Sequence, residues 1–340
     1  MKLQQLKDTA NAMVADGKGI LAMDESNPTC NKRFDSLGIP TTPESRRTYR
    51  DMLLTTPGVG NYISGAILFD ETIRQTTLAG IPFPQFAQQV GIIPGIKVDT
   101  GAKELAGHPC EKVTEGLDGL RDRLAEYVEM GARFAKWRAV ITIGKDIPSV
   151  GGISANAHGL ARYAALCQEA GLVPIVEPEV LIDGDHTIER CFEVTEATLR
   201  CVFAELVEQR VMLEGIVLKP NMVISGKDCA NRAGIEEVAA QTVRCLLNTV
   251  PASVPGIAFL SGGQGDEEAT AHLNAMNNLD LVLPWSLTFS YGRALQHAAM
   301  QTWSGDPSNV SAAQKVGGHR ARMNGAASSG TYNEQMEHAA

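Results

Sequence analysis

Short apolar runs recur along the chain at Gly19–Met23, Tyr62–Phe69, Gly95–Val98, Phe134–Ile143, Leu172–Val176, Leu213–Leu218, Gly256–Leu260 and Leu279–Leu283. The stretches between them carry helical spacing. Leu117, Leu120, Leu124 and Tyr127 step by three or four, which places them on one helix face. Ile188, Cys191, Leu199, Val202, Phe203 and Leu206 do the same after a candidate cap at Asp185. Strands that alternate with helices predict βα units around a parallel sheet. Within Phe134–Arg138, period-two alternation puts Phe134, Lys136 and Arg138 on one strand face and Ala135 and Trp137 on the other.

Charged residues stand at or near the ends of these apolar runs. Lys219 follows Leu213–Leu218, and Asp24, Lys97, Lys136 and Glu177 occupy similar places. Lys97, Lys136, Glu177, Lys219 and Ser261 are spaced about 40 residues apart, one βα unit per interval. Polar groups at the C-terminal ends of many parallel strands are what a closed (β/α)8 barrel uses for catalysis. An open doubly wound sheet would gather its ligand at a single crevice instead. The expected fold is therefore an α/β (β/α)8 TIM barrel over residues 1–316, with an N-terminal helix. Residues 317–340, rich in Gly, Ala and Ser, are expected to form a flexible C-terminal tail. Lysines amid carboxylates, with no cofactor motif, point to imine chemistry on a carbonyl substrate. Each residue also has a plainer reading: a strand-end lysine often snorkels, and Glu177-Pro178-Glu179 or Asp24-Glu25-Ser26 can be simple turns.

Composition narrows the partners. The chain is 44% hydrophobic and 20% charged, ordinary values for a globular protein. A net charge of −9 argues against nucleic acid or an anionic membrane surface. No 18-residue apolar run and no secretory segment at Met1–Gln5 are present, so membrane association is not expected. Seven cysteines without metal spacing fit reduced thiols and a cytoplasmic setting, with Cys167, Cys191 and Cys201 on helix faces. The seven histidines show neither HxH nor HExxH spacing, so no metal is expected, and no phosphate-loop or dinucleotide motif implies a cofactor. Against this acidic background Lys97, Lys136, Arg138, Lys219, Arg293 and Arg33 concentrate near the strand ends, as an anion site would require. Ser261-Gly262-Gly263-Gln264 and Ser290-Tyr291-Gly292-Arg293 suit phosphate, because glycine lets backbone N–H groups approach and arginine adds a fork.

Seven runs then carry a resemblance: GKGILAMDES (17–26), GIKVD (95–99), FAKWR (134–138), PIVEPE (174–179), LEGIVLKPNM (213–222), FLSGGQ (259–264) and FSYGRALQ (289–296). In this order they resemble class I fructose-bisphosphate aldolase, from about residue 3 to 316. The resemblance implies metal-independent cleavage of fructose 1,6-bisphosphate to dihydroxyacetone phosphate and glyceraldehyde 3-phosphate. It implies Lys219 as the Schiff-base lysine, Glu177 as the proton donor for imine formation, and Glu179 as the neighbour that raises it. Asp24 would be the base at the C4 hydroxyl, with Lys136 keeping it ionised. Ser261, Gly262, Gly263, Ser290, Gly292 and Arg293 would hold the C1 phosphate, and Ser26, Thr29, Arg33, Lys97 and Arg138 the C6 phosphate and sugar hydroxyls. A cytoplasmic homotetramer in glycolysis is the family expectation. A transaldolase-like barrel enzyme and a non-catalytic metabolite-binding scaffold are the alternatives.

Two departures stand out. Position 29 is threonine where relatives often carry serine, and the sequence ends without the terminal tyrosine of well-known members. That tyrosine favours the bisphosphate over the monophosphate, so the preference here is expected to rest on Arg33, Lys97 and Arg138. Deleting Asn333–Ala340 is accordingly expected to change bisphosphate cleavage by less than about tenfold, or about 1.4 kcal/mol. A steady-state comparison with the full chain checks this.

Overall fold

Eight parallel strands close into a ring in the computed structural model, which describes residues 2–338. In chain order the strands are β1 (Gly19–Ala22), β2 (Ile63–Leu68), β3 (Ile93–Lys97), β4 (Gly101–Glu104), β5 (Lys112–Glu115), β6 (Phe134–Ile141), β7 (Val173–Val180), β8 (Val217–Leu218), β9 (Gly256–Phe259) and β10 (Ser286–Tyr291). The barrel runs β1-β2-β3-β6-β7-β8-β9-β10 and closes where Ile20 pairs with Ser290. This is the expected (β/α)8 fold.

The ring holds because its inside and outside are both apolar. Ile20, Ile67, Phe134, Val173, Ile175 and Val217 meet inside. Leu6, Ala10 and Met13 of the helix Lys2–Met13 join the same cluster, so the N-terminal helix plugs the barrel at the starts of the strands. Two aromatic rings, Phe134 inside the barrel and Phe289 on its outer face, fit only because glycine faces them. A Cβ on Gly95 would lie 2.2 Å from the Phe134 ring, and one on Gly19 would lie 2.5 Å from Phe289. Outside, Trp137 stacks on Tyr163 of the helix Val150–Ala170 at 5.5 Å, so β6 alternates as its sequence pattern predicts.

Several elements differ from expectation. The run Leu279–Leu283 forms no strand; Leu281 and Val282 are exposed in the loop before β10. The eighth strand is Ser286–Tyr291, where Leu287 and Phe289 alternate with Thr288 and Ser290. The helix Ile188–Glu208 is capped by Thr187, whose hydroxyl accepts from Arg190 N, and not by Asp185. An antiparallel hairpin, β4–β5, is inserted after β3. It is tied down by Thr114 Oγ1, which donates to Arg138 O at 2.8 Å, and by Asn156, which bonds Thr114 N and Lys112 O.

The largest difference is the tail expected at 317–340. A helix, Val310–Ser328, crosses that boundary and packs on the helices Arg293–Trp303 and Asp266–Asn277. Its small residues serve close approach: a Cβ on Gly325 would lie 2.7 Å from Gly17 O. Beyond it, Glu337 folds back onto buried Arg320 with both carboxylate oxygens at 2.6 Å. His319 (2.9 Å) and Tyr332 (3.0 Å) bond the same carboxylate, and Arg320 also donates to Thr270 Oγ1. Ala339 and Ala340 lie outside the described residues.

Deleting Asn333–Ala340 thus strands a buried guanidinium, and losing one partner of a buried pair costs about 3–5 kcal/mol. Denaturant unfolding of the deletion variant should show a loss of that size, reproduced largely by Glu337→Ala. Unchanged stability would contradict the docking. Among the described residues none after Arg293 lines the central cavity, so cleavage by the folded fraction should stay within the tenfold range.

Candidate active site

The C-terminal ends of the barrel strands open into a cavity of about 1200 Å³. All sixteen candidate side chains or backbone positions named from the sequence line it. Asp24, Lys136, Glu177 and Lys219 lie at its floor, each with less than a tenth of its surface exposed.

These four form an unbroken chain of alternating charge. Lys219 follows β8 directly, and its N–H donates to Val176 O at 2.8 Å, which fixes it beside Glu177. Lys219 Nζ lies 3.1 Å from Glu177 Oε1. Lys136 Nζ lies 3.3 Å from Glu177 Oε2 and 2.7 Å from Asp24 Oδ2. The contact with Glu177 Oε2 is ionic without hydrogen-bond alignment, and that buried oxygen keeps a free lone pair. Register brings Lys97 of β3 directly opposite Lys136 of β6. Two like charges side by side repel. The clash is relieved by separate carboxylates, because Lys97 pairs with Asp99 while Lys136 pairs with Asp24.

The charges set the protonation states. Burial alone would raise the Asp24 carboxyl, but Lys136 and then Lys219 outweigh it and hold it below the usual carboxylate range. Glu177 follows the same pattern: burial pushes it up, and Lys136, Lys219 and Arg138 bring it net down. Lys136 is destabilised by burial yet held well above an ordinary lysine by Asp24 and Glu177. The expectation that Glu179 raises Glu177 is therefore corrected. The Glu179 carboxylate is taken up by Arg138 Nε, and the nearest charges to Glu177 are cations.

The two ends of the cavity differ. At one end Gly262 (φ 55°) and Gly263 (φ 95°) turn after β9, in the left-handed region that favours glycine. A Cβ on Gly263 would lie 3.1 Å from Arg293 Nη2, so the guanidinium lies over this turn. Among the described residues Arg293 makes no ion pair, and the buried hydroxyl of Ser290 has no partner. Free donors around a glycine turn beside the helix that starts at Arg293 suit a doubly charged anion. At the other end Ser26 and Thr29 hydroxyls lie 3.1 Å apart on the first turn of the helix Asn27–Asp35. Their neighbouring cations already have partners: Arg33 with Glu25, Lys97 with Asp99, Arg138 with Glu179.

Some site residues escaped the sequence reading. Asp99, two residues after Lys97, was signalled by the alternation of GIKVD. Arg74 and Tyr127 also line the cavity, but nothing local in their segments marks them. Asn221 is buried two residues after Lys219, accepts from Val180 N and donates to Thr195 Oγ1, so it ties the lysine loop to β7. Gln264 holds the glycine turn by donating to Ser261 O at 2.9 Å, while its Oε1 accepts from His272 Nδ1 at 2.6 Å. Among the described residues no group of three or more His, Cys, Asp or Glu could hold a metal ion, and no helix is long and apolar enough to cross a membrane.

Fold and site together define a barrel lyase of the kind that works through a lysine imine. Comparison with known proteins narrows the class. A family model for fructose-bisphosphate aldolase class-I matches residues 5–340. A probable class 1 fructose-bisphosphate aldolase of Xanthomonas campestris is 63% identical over 98% of this chain and 99% of the relative. A cytosolic fructose-bisphosphate aldolase of Arabidopsis thaliana is 54% identical over 93% of this chain and 80% of its own length. Among solved structures, a Plasmodium falciparum fructose-bisphosphate aldolase, crystallised with TRAP and a small-molecule inhibitor, superposes with a TM-score of 0.96 at 50% identity. That match covers 98% of this chain and 96% of the other. The chain belongs to the class I fructose-bisphosphate aldolase family.

One consequence of the turn can be measured without substrate. Burial is the largest influence on His272 and lowers it to about 4, so it is neutral when folded at neutral pH. The unfolded chain protonates this residue near 6.5, so acid favours unfolding, and the stabilisation is full above pH 6.5 and lost as pH falls to about 4. The loss from this residue should be about 3 kcal/mol. Denaturant melts from pH 7 to 4 should show a shallower decline in His272→Gln; an identical slope would contradict the assignment.

Proposed function

We propose that this chain cleaves fructose 1,6-bisphosphate reversibly through an imine on Lys219, and that Glu177, Asp24 and Lys136 handle the protons. The ion-paired chain Lys219–Glu177–Lys136–Asp24 is the observation that carries the reading. An ordinary lysine is protonated at neutral pH, and freeing it costs about 4.6 kcal/mol. Glu177 lies 3.1 Å from Lys219 Nζ and accepts that proton. The neutral amine attacks the C2 carbonyl, and Glu177, now an acid, gives the proton to the carbinolamine oxygen, which leaves as water. Glu177 thus holds a proton only after Lys219 surrenders its own, which fits its lowered resting state.

The protonated imine then draws electrons from the C3–C4 bond. Asp24 takes the proton of the C4 hydroxyl, the bond breaks, and glyceraldehyde 3-phosphate departs. The enamine left on Lys219 is protonated at C3 and hydrolysed to dihydroxyacetone phosphate. Lys136 keeps Asp24 ionised until the C4 hydroxyl arrives. Glu179 acts through Arg138, whose position it sets. Ser261, Gly262, Gly263, Ser290, Gly292 and Arg293 receive the C1 phosphate. Ser26, Thr29, Arg33, Lys97 and Arg138 receive the C6 end. The carboxylates paired with the C6-side cations make that end weaker, which suits the product released first.

A homotetramer working in the cytoplasm, in glycolysis or its reverse, completes the proposal and rests on the family. Relatives named cytosolic and chloroplastic both occur. The transaldolase-like and scaffold readings are set aside by the family membership and by the complete charge chain.

Borohydride reduction with dihydroxyacetone phosphate, followed by peptide mass mapping, should label Lys219 alone. A label on Lys97 or Lys136 would falsify the assignment. EDTA should leave the activity unchanged, and inhibition reversed by zinc would count against imine chemistry. Glu177→Gln should slow adduct formation by roughly 10²–10⁴, and an unchanged trapping rate would move the role to another group.

A further inference from the structure

Asp24 stands outside the barrel ladder. β1 ends at Ala22, whose last partner is Ile67, and the segment Met23–Ser26 belongs to no strand. The carboxylate must nevertheless be placed to a fraction of an ångström, between Lys136 and the reacting hydroxyl. Two main-chain carbonyls bracket it, Ala22 O before and Glu25 O after. Both accept hydrogen bonds from side chains that are fully buried. Gln296 Nε2 donates to Ala22 O, and Arg50 Nη2 donates to Glu25 O at 2.6 Å.

The two donors are themselves held. Tyr49 OH donates to Gln296 Oε1 at 2.9 Å, which fixes the amide so that its nitrogen faces Ala22. Tyr49 and Arg50 are consecutive on the helix Pro43–Leu54. The Tyr49 ring packs against Phe34 and Trp303, with centroids 5.6 and 5.8 Å away. The Arg50 guanidinium lies over Phe69 at 5.8 Å, with Glu71 3.7 Å away. Gln296 comes one turn after Arg293 on the same helix. Neither Tyr49, Arg50 nor Gln296 lines the cavity.

We infer that Gln296 and Arg50, with Tyr49 behind Gln296, clamp the main chain on either side of Asp24 and are positioning residues for carbon–carbon bond cleavage. The inference rests on the reading of Asp24 as the base for the C4 hydroxyl. It predicts a selective defect. Imine formation uses Lys219 and Glu177, which sit after β8 and on β7 respectively, away from the clamp. Only the step that needs Asp24 should suffer.

Gln296→Met removes the amide donor while keeping length and bulk. Its kcat for fructose 1,6-bisphosphate should fall about tenfold to a hundredfold, the scale of a small misplacement of a reacting group. KM and the rate of borohydride trapping with dihydroxyacetone phosphate should each change less than threefold. Tyr49→Phe, a single hydroxyl removed, should show the same split more weakly and serves if Gln296→Met does not fold. Arg50→Lys, which keeps a donor for Glu25 O, should retain more cleavage than Arg50→Met.

In an Asp24→Asn background, adding Gln296→Met should cause no further loss of cleavage, because the clamp has no base left to place. Equal losses of trapping and cleavage, or fully additive losses with Asp24→Asn, would overturn the clamp. Absence of trapping at Lys219 in the unmodified chain would instead overturn the functional reading beneath it.

Discussion

Lys136 is the residue on which the rest of the site depends. Its ammonium is shared by Asp24 and Glu177 inside a cavity floor where none of the three is exposed by as much as a tenth. Burying one carboxylate among apolar neighbours would neutralise it. Two carboxylates close together would neutralise at least one. A buried ammonium between them keeps both ionised, and Lys219 closes the far end. Removing Lys136 would thus take a counter-charge at once from Glu177 and from Asp24, the groups proposed above as imine-forming acid and cleavage base.

The barrel makes this sharing possible through register. Lys136 enters from β6, Glu177 from β7, Lys219 from the residue after β8 and Asp24 from beyond β1. Four separate strands present one charge each toward a common axis, which a single helix or hairpin cannot do at this density. The same rigidity is absent at the strand ends themselves. There the chain relies on buried side chains: Asn221 for the Lys219 loop, Gln264 for the glycine turn, and Gln296 with Arg50 for the Asp24 segment. Strand pairing sets the coarse geometry, and these amides and guanidinium set the fine one.

Much of this was legible in the sequence, because strand-end charges and period-two alternation are local signals. Phe134–Arg138 shows the reason clearly: period-two alternation sets Lys136 and Trp137 on opposite strand faces, and the structure turns Lys136 to the site and Trp137 to the helix layer. The failures came where non-local packing decides. Leu279–Leu283 is apolar yet forms a loop, while Ser286–Tyr291, with two polar inward positions, forms the strand that closes the ring. Gly317, Gly325 and their small neighbours resemble a flexible tail until the partner surface is known, and then they read as a close-packed helix. The lowered state of Glu177 was invisible for a similar reason. Its sequence neighbour Glu179 is an anion, but its spatial neighbours are Lys136 and Lys219.

In the proposed mechanism imine formation on Lys219 and bond cleavage assisted by Asp24 are separate steps, and one variant isolates the two. Asp24→Asn, mixed with fructose 1,6-bisphosphate and quenched with borohydride, should accumulate a covalent adduct on the Lys219 peptide. Intact mass should show the whole hexose bisphosphate attached, because the imine forms and the C3–C4 bond survives. An adduct carrying only triose phosphate would show that cleavage does not need Asp24. No adduct on Lys219 would contradict the division of roles altogether.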